Sequence, residues 1–237
     1  AFDARHLGRV PAAIGVAAKV MVGSKLKDLG FEEEIIPKHI SVKESVLPFV
    51  KFPNIDIILG PEMKSTGEVM GIDKDFGKAY AKSQLAAYQN LPKGGTVFVS
   101  VKDADKKLAM AGVVRKLKAL KFGVLATIGT ANFLREHKIS VRIIRRVSEG
   151  RPNLLDLIRE GKVQLVINTP SGKTPREDEV RIRSAAVAFG VPVVTTLPGA
   201  VACVRGLEAL IKGKLGVKSI QEYHRKPKSK RQARCQG

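Results

Sequence analysis

Residues 96–127, TVFVSVKDADKKLAMAGVVRKLKALKFGVLAT, contain two uncharged apolar runs separated by a helical pattern. The runs TVFVSV (96–101) and GVLAT (123–127) predict strands, because they are rich in β-branched and aliphatic residues. Between them, apolar residues recur every three positions from Leu108 to Leu120, which predicts a helix over about residues 105–120. Strands that are apolar throughout and are joined by helices are typical of a parallel sheet covered on both faces.

The same alternation continues to about residue 213. Further strands are predicted at 140–144, 163–168 and 191–196, and further helices at 130–137, 153–161, 176–190 and 199–213. The sequence therefore predicts an α/β fold with a doubly wound five-stranded parallel sheet.

A smaller, mostly helical segment is predicted to precede this sheet. Helical patterns at residues 10–30 and 75–89 flank a connection that carries four prolines and is predicted to be mostly irregular, and residues 92–95 predict a linker. We therefore expect a first segment at 1–92, a sheet domain at 93–224 and a basic disordered tail at 225–237.

The charge and the aromatic content of the chain limit the classes of ligand or macromolecule that it is expected to bind. Lys and Arg number 42 and Asp and Glu 22, so the net charge is +20 and favours phosphorylated ligands, nucleic acid or acidic membranes. The tail RKPKSKRQAR (225–234) concentrates part of this charge and is interpreted as a solvated extension, with a nucleic-acid arm as the alternative. The chain has no Trp and few aromatic residues, which makes nucleic acid an unlikely partner.

Two further features concern location. The cysteines Cys203 and Cys235 suggest no disulfide framework, so a reducing cytoplasm is expected. The uncharged stretch from Ser184 to Val204 is interrupted by Gly, Pro and a Thr-Thr pair and is interpreted as part of a protein core, so no membrane partner is expected. The first residues lack a signal-peptide pattern and an initiator Met, which suggests a processed chain or a fragment of a longer one.

Polar and basic residues follow all five predicted strands. Carboxyl ends of parallel strands meet at one edge of a sheet, where helix N-termini offer N–H groups to anions. These residues therefore predict a site for a phosphate-bearing ligand. They are Ser100 and Lys106; Thr127 and Thr130; Arg145, Arg146 and Arg151; Asn168, Thr169, Ser171 and Lys173; and Thr195 and Thr196.

Each of these residues also has a structural alternative. Thr127 would serve as a strand end and Thr130 as a helix N-cap. Asn168 and Ser171 would be turn residues, and Lys106 and Arg146 would be solvated charges.

Catalytic and cofactor motifs are missing from the sequence. It contains neither the GxGxxG fingerprint nor a GxxxxGK[ST] loop, and its four histidines are scattered. No acid–base pair, nucleophile or metal-ligand spacing emerges, so we expect a binding module with no catalytic residue, metal or cofactor of its own.

Several sequence blocks together resemble one enzyme family. In chain order they are PFVKFP (48–53), IDIILGPEMKSTGEVMG (55–71), ATIGT (126–130), EGRP (149–152), VINTPSG (166–172), TTLPGA (195–200) and SIQEYH (219–224). From about Val10 to His224 the chain resembles the C-terminal part of the carbamoyl-phosphate synthase large subunit.

The resemblance implies a fold and a context for this chain. Residues from about 96 onward would be the allosteric domain, which has the methylglyoxal-synthase-like fold, and residues 1–92 would be the tail of the second ATP-grasp half. The catalytic ATP-grasp cores would lie upstream, so this chain would be inactive alone. The parent enzyme would be a ligase that uses ATP with Mg or Mn and takes ammonia from a small glutaminase subunit, for pyrimidine and arginine synthesis.

The resemblance also implies roles for single residues. The nucleotide-monophosphate site of the family would comprise Ser100, Lys106, Thr127, Thr130, Asn168 and Ser171, with Arg146 as a basic phosphate ligand. Pro170 departs from the enteric pattern, which has a second Thr there, and this departure removes a side-chain hydroxyl and a backbone N–H from the implied site. An ornithine-type activator site would comprise Glu68 and Thr195, although Val193 and Val194 also depart from that pattern, and an interdomain salt bridge is the alternative for Glu68.

Three functional interpretations stay open at this point. The first is a regulatory region that binds a nucleotide monophosphate or ornithine and acts on the upstream ATP-grasp halves, with homo-oligomers possible. The second is a methylglyoxal-synthase-like lyase, because the two families share a fold. The third is a basic nucleic-acid-binding protein, which only the tail at 225–237 favours.

Overall fold

A computed structural model describes residues 10–30, 36–46, 67–145, 147–170 and 177–224 of the chain. The chain forms two compact units, of which the larger spans Ile40–Leu215. The other comprises residues 1–39 and 216–237, and in it the rings of His39 and Tyr223 lie 5.5 Å apart. The larger unit includes residues on both sides of the domain boundary predicted at residue 92, and the predicted boundaries stay predictions.

Strands and helices alternate through most of the described chain. The strands are β1 (Ile40–Val46), β2 (Gly67–Asp73), β3 (Thr96–Ser100), β4 (Gly123–Ala126), β5 (Arg142–Ile143), β6 (Leu165–Asn168) and β7 (Val193–Val194). The helices are α1 (Val10–Met21), α2 (Phe76–Ala86), α3 (Leu108–Ala119), α4 (Ile128–Glu136), α5 (Leu154–Arg159), α6 (Glu177–Ala188), α7 (Leu197–Lys212) and α8 (Ile220–His224).

The five-stranded sheet is parallel and has the order β5-β4-β3-β6-β7. From β3 the chain adds β4 and then β5 on one side of the sheet. It then returns to the centre, where β6 pairs with the other side of β3, and adds β7 beyond it. The direction of winding therefore reverses between β3 and β6. Ser100 and Asn168 are register partners at their carboxyl ends. The doubly wound five-stranded parallel sheet predicted from the sequence is confirmed, and its switch point lies between Ser100 and Asn168.

Alternate residues of each central strand enter two separate cores. In β3, Val97 and Val99 pack into a core with α3, α4 and α7, whereas Phe98 packs on the opposite face with α5 and α6. This two-sided burial explains why the strands are apolar at every position instead of every second one.

The two-stranded sheet was not predicted. β1 and β2 pair antiparallel and pack against α2, whereas the sequence predicts a mostly irregular connection around β1. The alternation in β1 is obscured because one of its half-buried positions is Glu44, whose carboxylate accepts a 2.7 Å hydrogen bond from Gln84. Only the structure supplies the reason for a carboxylate at that position.

Glycines set the close packing of α2. A Cβ at Gly71 in β2 would collide with the backbone of Ala79 and Ser83, and one at Gly77 in α2 would collide with the backbone of Arg205 in α7. A Cβ at Gly206 in α7 would lie 2.8 Å from the ring of Tyr80. These contacts bring α2 close to both β2 and α7.

Several predicted boundaries shift. The helix α3 begins three residues late because Asp103–Asp105 form a 3₁₀ turn, and α4 begins at Ile128 instead of residue 130. Both outer strands of the five-stranded sheet, β5 and β7, are only two residues long. In the described part of the chain, no helix combines the length and the apolar character that crossing a bilayer requires.

Replacing Gly71 with Ala should strongly destabilise the protein. The new methyl group meets rigid backbone atoms, so we expect a loss of about 1–3 kcal/mol or more in the free energy of unfolding. Gly67→Ala in the same strand is the matched control, because a Cβ there has nothing within 4 Å. Urea denaturation of both variants measures the difference, and equal stabilities would contradict the packing described.

Replacing Glu44 with Gln should stabilise the protein at pH 7 and not at low pH. Burial raises the pKa of Glu44 above its ordinary value, while the hydrogen bond from Gln84 acts in the opposite direction. The folded state therefore holds the Glu44 proton more tightly than the unfolded state, so the ionised carboxylate costs stability above the raised pKa. Melting temperatures at pH 7 and pH 4 check this, with the gain from Glu44→Gln expected to shrink at pH 4.

Candidate functional site

The predicted site residues of three neighbouring strands meet at the switch point. We call Ser100, Lys106, Thr127, Thr130 and Asn168 the switch-point cluster. Ser100 and Asn168 end the paired strands β3 and β6, and Thr127 follows β4 directly. The five residues therefore lie at the one edge where a doubly wound sheet binds ligands.

A chain of hydroxyl groups crosses this edge. The Ser100 Oγ lies 3.2 Å from the Thr127 Oγ1, and the Thr127 hydroxyl lies 3.3 Å from the Thr130 Oγ1. Thr127 is the N-cap residue of α4, but its side chain caps no backbone N–H. The first intrahelical bond of α4 runs from the Ala131 N–H to the Thr127 carbonyl at 2.8 Å, so the N–H groups of residues 128–130 precede it.

Thr130 holds the cluster together. It is buried, and its Oγ1 accepts a 3.1 Å hydrogen bond from the Val101 backbone N–H, so it ties α4 to the segment after β3. The structural alternative, with Thr127 at the strand end and Thr130 as the N-cap, is wrong about the cap, because the helix begins two residues earlier and its N-cap is Thr127. Thr130 lies inside the first turn of α4.

The Lys106 ammonium group lies over the start of α4. A Cβ at Gly129 would be 3.3 Å from the Lys106 Nζ, so the missing side chain leaves room for the ammonium group there. The Lys106 side chain is 22% exposed and forms a 2.6 Å ion pair with Asp103, whose side chain is 94% exposed. An ion pair with so exposed a carboxylate contributes little to stability.

Thr169 and Asn168 are engaged with protein groups. The Thr169 Oγ1 accepts a 3.0 Å hydrogen bond from the Lys102 N–H, and the Asn168 Nδ2 donates to the Ser100 carbonyl at 3.3 Å. The Asn168 Oδ1 accepts a 2.7 Å hydrogen bond from Arg183, a fully buried residue of α6. Sequence reasoning missed Arg183, because Glu179 and Arg183 at i, i+4 spacing resemble an exposed helical ion pair.

The remaining predicted residues lie apart or outside the described part. Arg146, Ser171 and Lys173 fall outside the described residues. Arg145 is exposed, and Arg151 lies 3.4 Å from the Asp156 carboxylate.

The two residues of the predicted ornithine-type site are on different sheets. Glu68 is in β2, 58% exposed, and its carboxylate lies 2.7 Å from the Lys43 ammonium group. Thr195 follows β7, and the neighbouring Thr196 caps α7 through the Gly199 N–H. Within the described residues, no hydrogen bond or ion pair joins Glu68 to Thr195, and no group of three His, Cys, Asp or Glu is placed to hold a metal ion.

The chain is similar in sequence to proteins of known family. The family described as "MGS-like domain" matches residues 109–195, which include Thr127, Thr130 and Asn168. The carbamoyl phosphate synthase large chain of Archaeoglobus fulgidus is 54% identical over 209 residues, which cover 88% of this chain and 19% of that protein. This chain is homologous to part of the carbamoyl phosphate synthase large chain.

Relatives of that name occur in other organisms. The one from Methanosarcina barkeri is 47% identical over 94% of this chain, and the one from Nostoc is 50% identical over 88% of it. The chain spans 57% of the first and 19% of the second. The resemblance stated from the sequence is confirmed, as is the fold with its MGS-like domain. The ligand roles of single residues stay predictions.

Replacing Thr130 with Val should destabilise the ligand-free protein. Valine keeps the shape but leaves the buried Val101 N–H without its acceptor, which costs about 1–3 kcal/mol. Thr127→Val is the comparison, with a smaller loss expected because water can replace its partly exposed hydroxyl contacts. Thermal unfolding without ligand measures both losses of stability. A larger loss for Thr127→Val would contradict the structural role given to Thr130, which links α4 to the segment after β3.

Proposed function

We propose that this chain is a regulatory part of a carbamoyl phosphate synthase large chain and that it binds a phosphorylated, nucleotide-monophosphate-type effector. The observation that carries the proposal is the position of the Lys106 ammonium group over Gly129, at the start of α4. Both the ammonium group and the N-terminus of the helix attract a negatively charged ligand group such as a phosphate.

The phosphate would contact three kinds of donor. The Lys106 ammonium would exchange the exposed Asp103 carboxylate for phosphate oxygens. The first N–H groups of α4 would donate to the same oxygens, because they precede the first intrahelical bond. The Ser100 and Thr127 hydroxyls would be the third kind of donor. Thr130 and Thr169 would fix the backbone around the site through their hydrogen bonds to the segment after β3.

In this proposal the catalytic activity resides in a longer polypeptide of which this chain is a part. That polypeptide would make carbamoyl phosphate from bicarbonate, ATP with Mg or Mn, and ammonia from a glutaminase subunit, in the cytoplasm, for pyrimidine and arginine synthesis. The effector would change its activity from a distance. Because coupling between two sites is reciprocal, substrates bound elsewhere would change effector affinity by the same factor.

A nucleotide monophosphate should raise the melting temperature of the full 237-residue chain. A ligand at about 100 times its Kd stabilises the folded state by about 2.7 kcal/mol. Thermal shift with uridylate, inosinate and ornithine measures this. Lys106→Ala should abolish the nucleotide shift, whereas Lys107→Ala, which removes a neighbouring exposed lysine, should retain it. A wild-type chain that no nucleotide stabilises contradicts the nucleotide assignment.

The other interpretations predict different results. A lyase would produce methylglyoxal from dihydroxyacetone phosphate. A nucleic-acid-binding protein would bind DNA or RNA with an affinity that falls steeply with salt and is lost on deletion of residues 225–237. For an ornithine-type ligand, Glu68→Gln should reduce the shift with ornithine and leave the shift with nucleotide unchanged.

A further inference from the structure

Arg183 is a buried cation directly behind the switch-point cluster. Its side chain is 0% exposed, its guanidinium donates to the Asn168 Oδ1 at 2.7 Å, and the Glu179 carboxylate lies 4.0 Å away. Burying a guanidinium is expensive even when it is paired, and apolar residues of similar size often serve stability as well or better. Stability alone therefore gives a weak reason for a cation at this position.

The Asn168 amide is locked in one orientation by its two partners. A guanidinium can only donate, so the atom that it contacts must be the Asn168 oxygen, and a backbone carbonyl can only accept, so the Ser100 oxygen must face the Asn168 nitrogen. A flipped amide would lose both hydrogen bonds. The orientation thus follows from the chemistry of the partners on β3 and α6.

The same arrangement polarises the amide. A charged donor on the carbonyl oxygen draws electron density toward it and makes the N–H groups of the same amide stronger donors. One Asn168 N–H donates to Ser100, and the nitrogen carries a second. A strengthened donor at the end of β6 suits a ligand atom that accepts hydrogen bonds, such as a phosphate or carbonyl oxygen.

We propose that Arg183 is a positioning residue of the effector site, which locks and polarises the Asn168 amide as a hydrogen-bond donor to an acceptor oxygen of the effector. This inference rests on the proposed function. In this role Arg183 acts on effector binding through its hydrogen bond to Asn168.

Effector affinity in matched variants tests this role. Arg183→Met removes the charged hydrogen bond at similar side-chain length and should raise the Kd of the full chain for uridylate or inosinate roughly ten- to hundredfold. Arg183→Lys keeps a cationic donor and should recover part of the affinity. Arg181→Met, on the same helix but exposed, should change the Kd less than twofold. Equal affinities in the wild type and Arg183→Met overturn the proposal.

A double-mutant cycle separates positioning from a general structural role. If Arg183 acts through Asn168, Arg183→Met should change the Kd less than twofold in a chain that already carries Asn168→Ala. Full additivity of the two effects would overturn the proposal, because Arg183 would then act by another route.

A measurement on the wild type covers the case in which Arg183→Met does not fold. The Asn168 side-chain amide should give two resolved NMR proton signals, of which one is protected from solvent exchange. Exchange at the rate of an exposed asparagine overturns the proposal without any variant.

The outcomes for the two proposals differ. If the wild type binds no nucleotide, the proposed function fails and the positioning role fails with it. If the wild type binds and Arg183→Met binds equally well, only the positioning role fails.

Discussion

The pairing of β3 with β6 at the centre of the sheet is the contact on which the rest of the structure depends. Both strands bury side chains on both faces, so they can lie only between two layers of helices. The chain winds outward from each of them in opposite directions, which leaves their carboxyl ends side by side without a helix between them. The register of Ser100 with Asn168 therefore determines where the cluster can form.

Polar groups in such a position must find partners within the protein, because water reaches few of them. Thr130 and Thr169 meet this need by accepting from backbone N–H groups of the segment that follows β3, and Asn168 by donating to the carbonyl of Ser100, the last residue of β3. These hydrogen bonds fix the backbone around the edge. The more exposed Ser100 and Thr127 hydroxyls, the Lys106 ammonium group and the second N–H of Asn168 keep capacity for a ligand. Thr130 and Thr169 thus have a structural role, whereas Thr127 keeps a hydroxyl that a ligand can use.

Most of the sheet could be predicted from the sequence because apolar strands and amphipathic helices follow from local patterns, as in β3 and α3. The strand ends indicated the cluster for the same reason: parallel strands share an edge. Arg183 could not be predicted, since its burial depends on a partner 15 residues away across the fold. The strand β1 could not be predicted for the same reason. Its half-buried Glu44 accepts a hydrogen bond from Gln84, which is 40 residues further along the chain.

The glycine contacts of α2 have a mechanical consequence. At Gly77 and Gly71, backbone packs so closely that no side chain fits between the elements, so no rotamer change can absorb a small displacement. The helix α7 extends for 16 residues, about 24 Å, from its cap at Thr196 beside β7. A displacement of α7 would therefore require α2 and β2 to move with it, because no side chain lies between their backbones at Gly77 and Gly71 to absorb it.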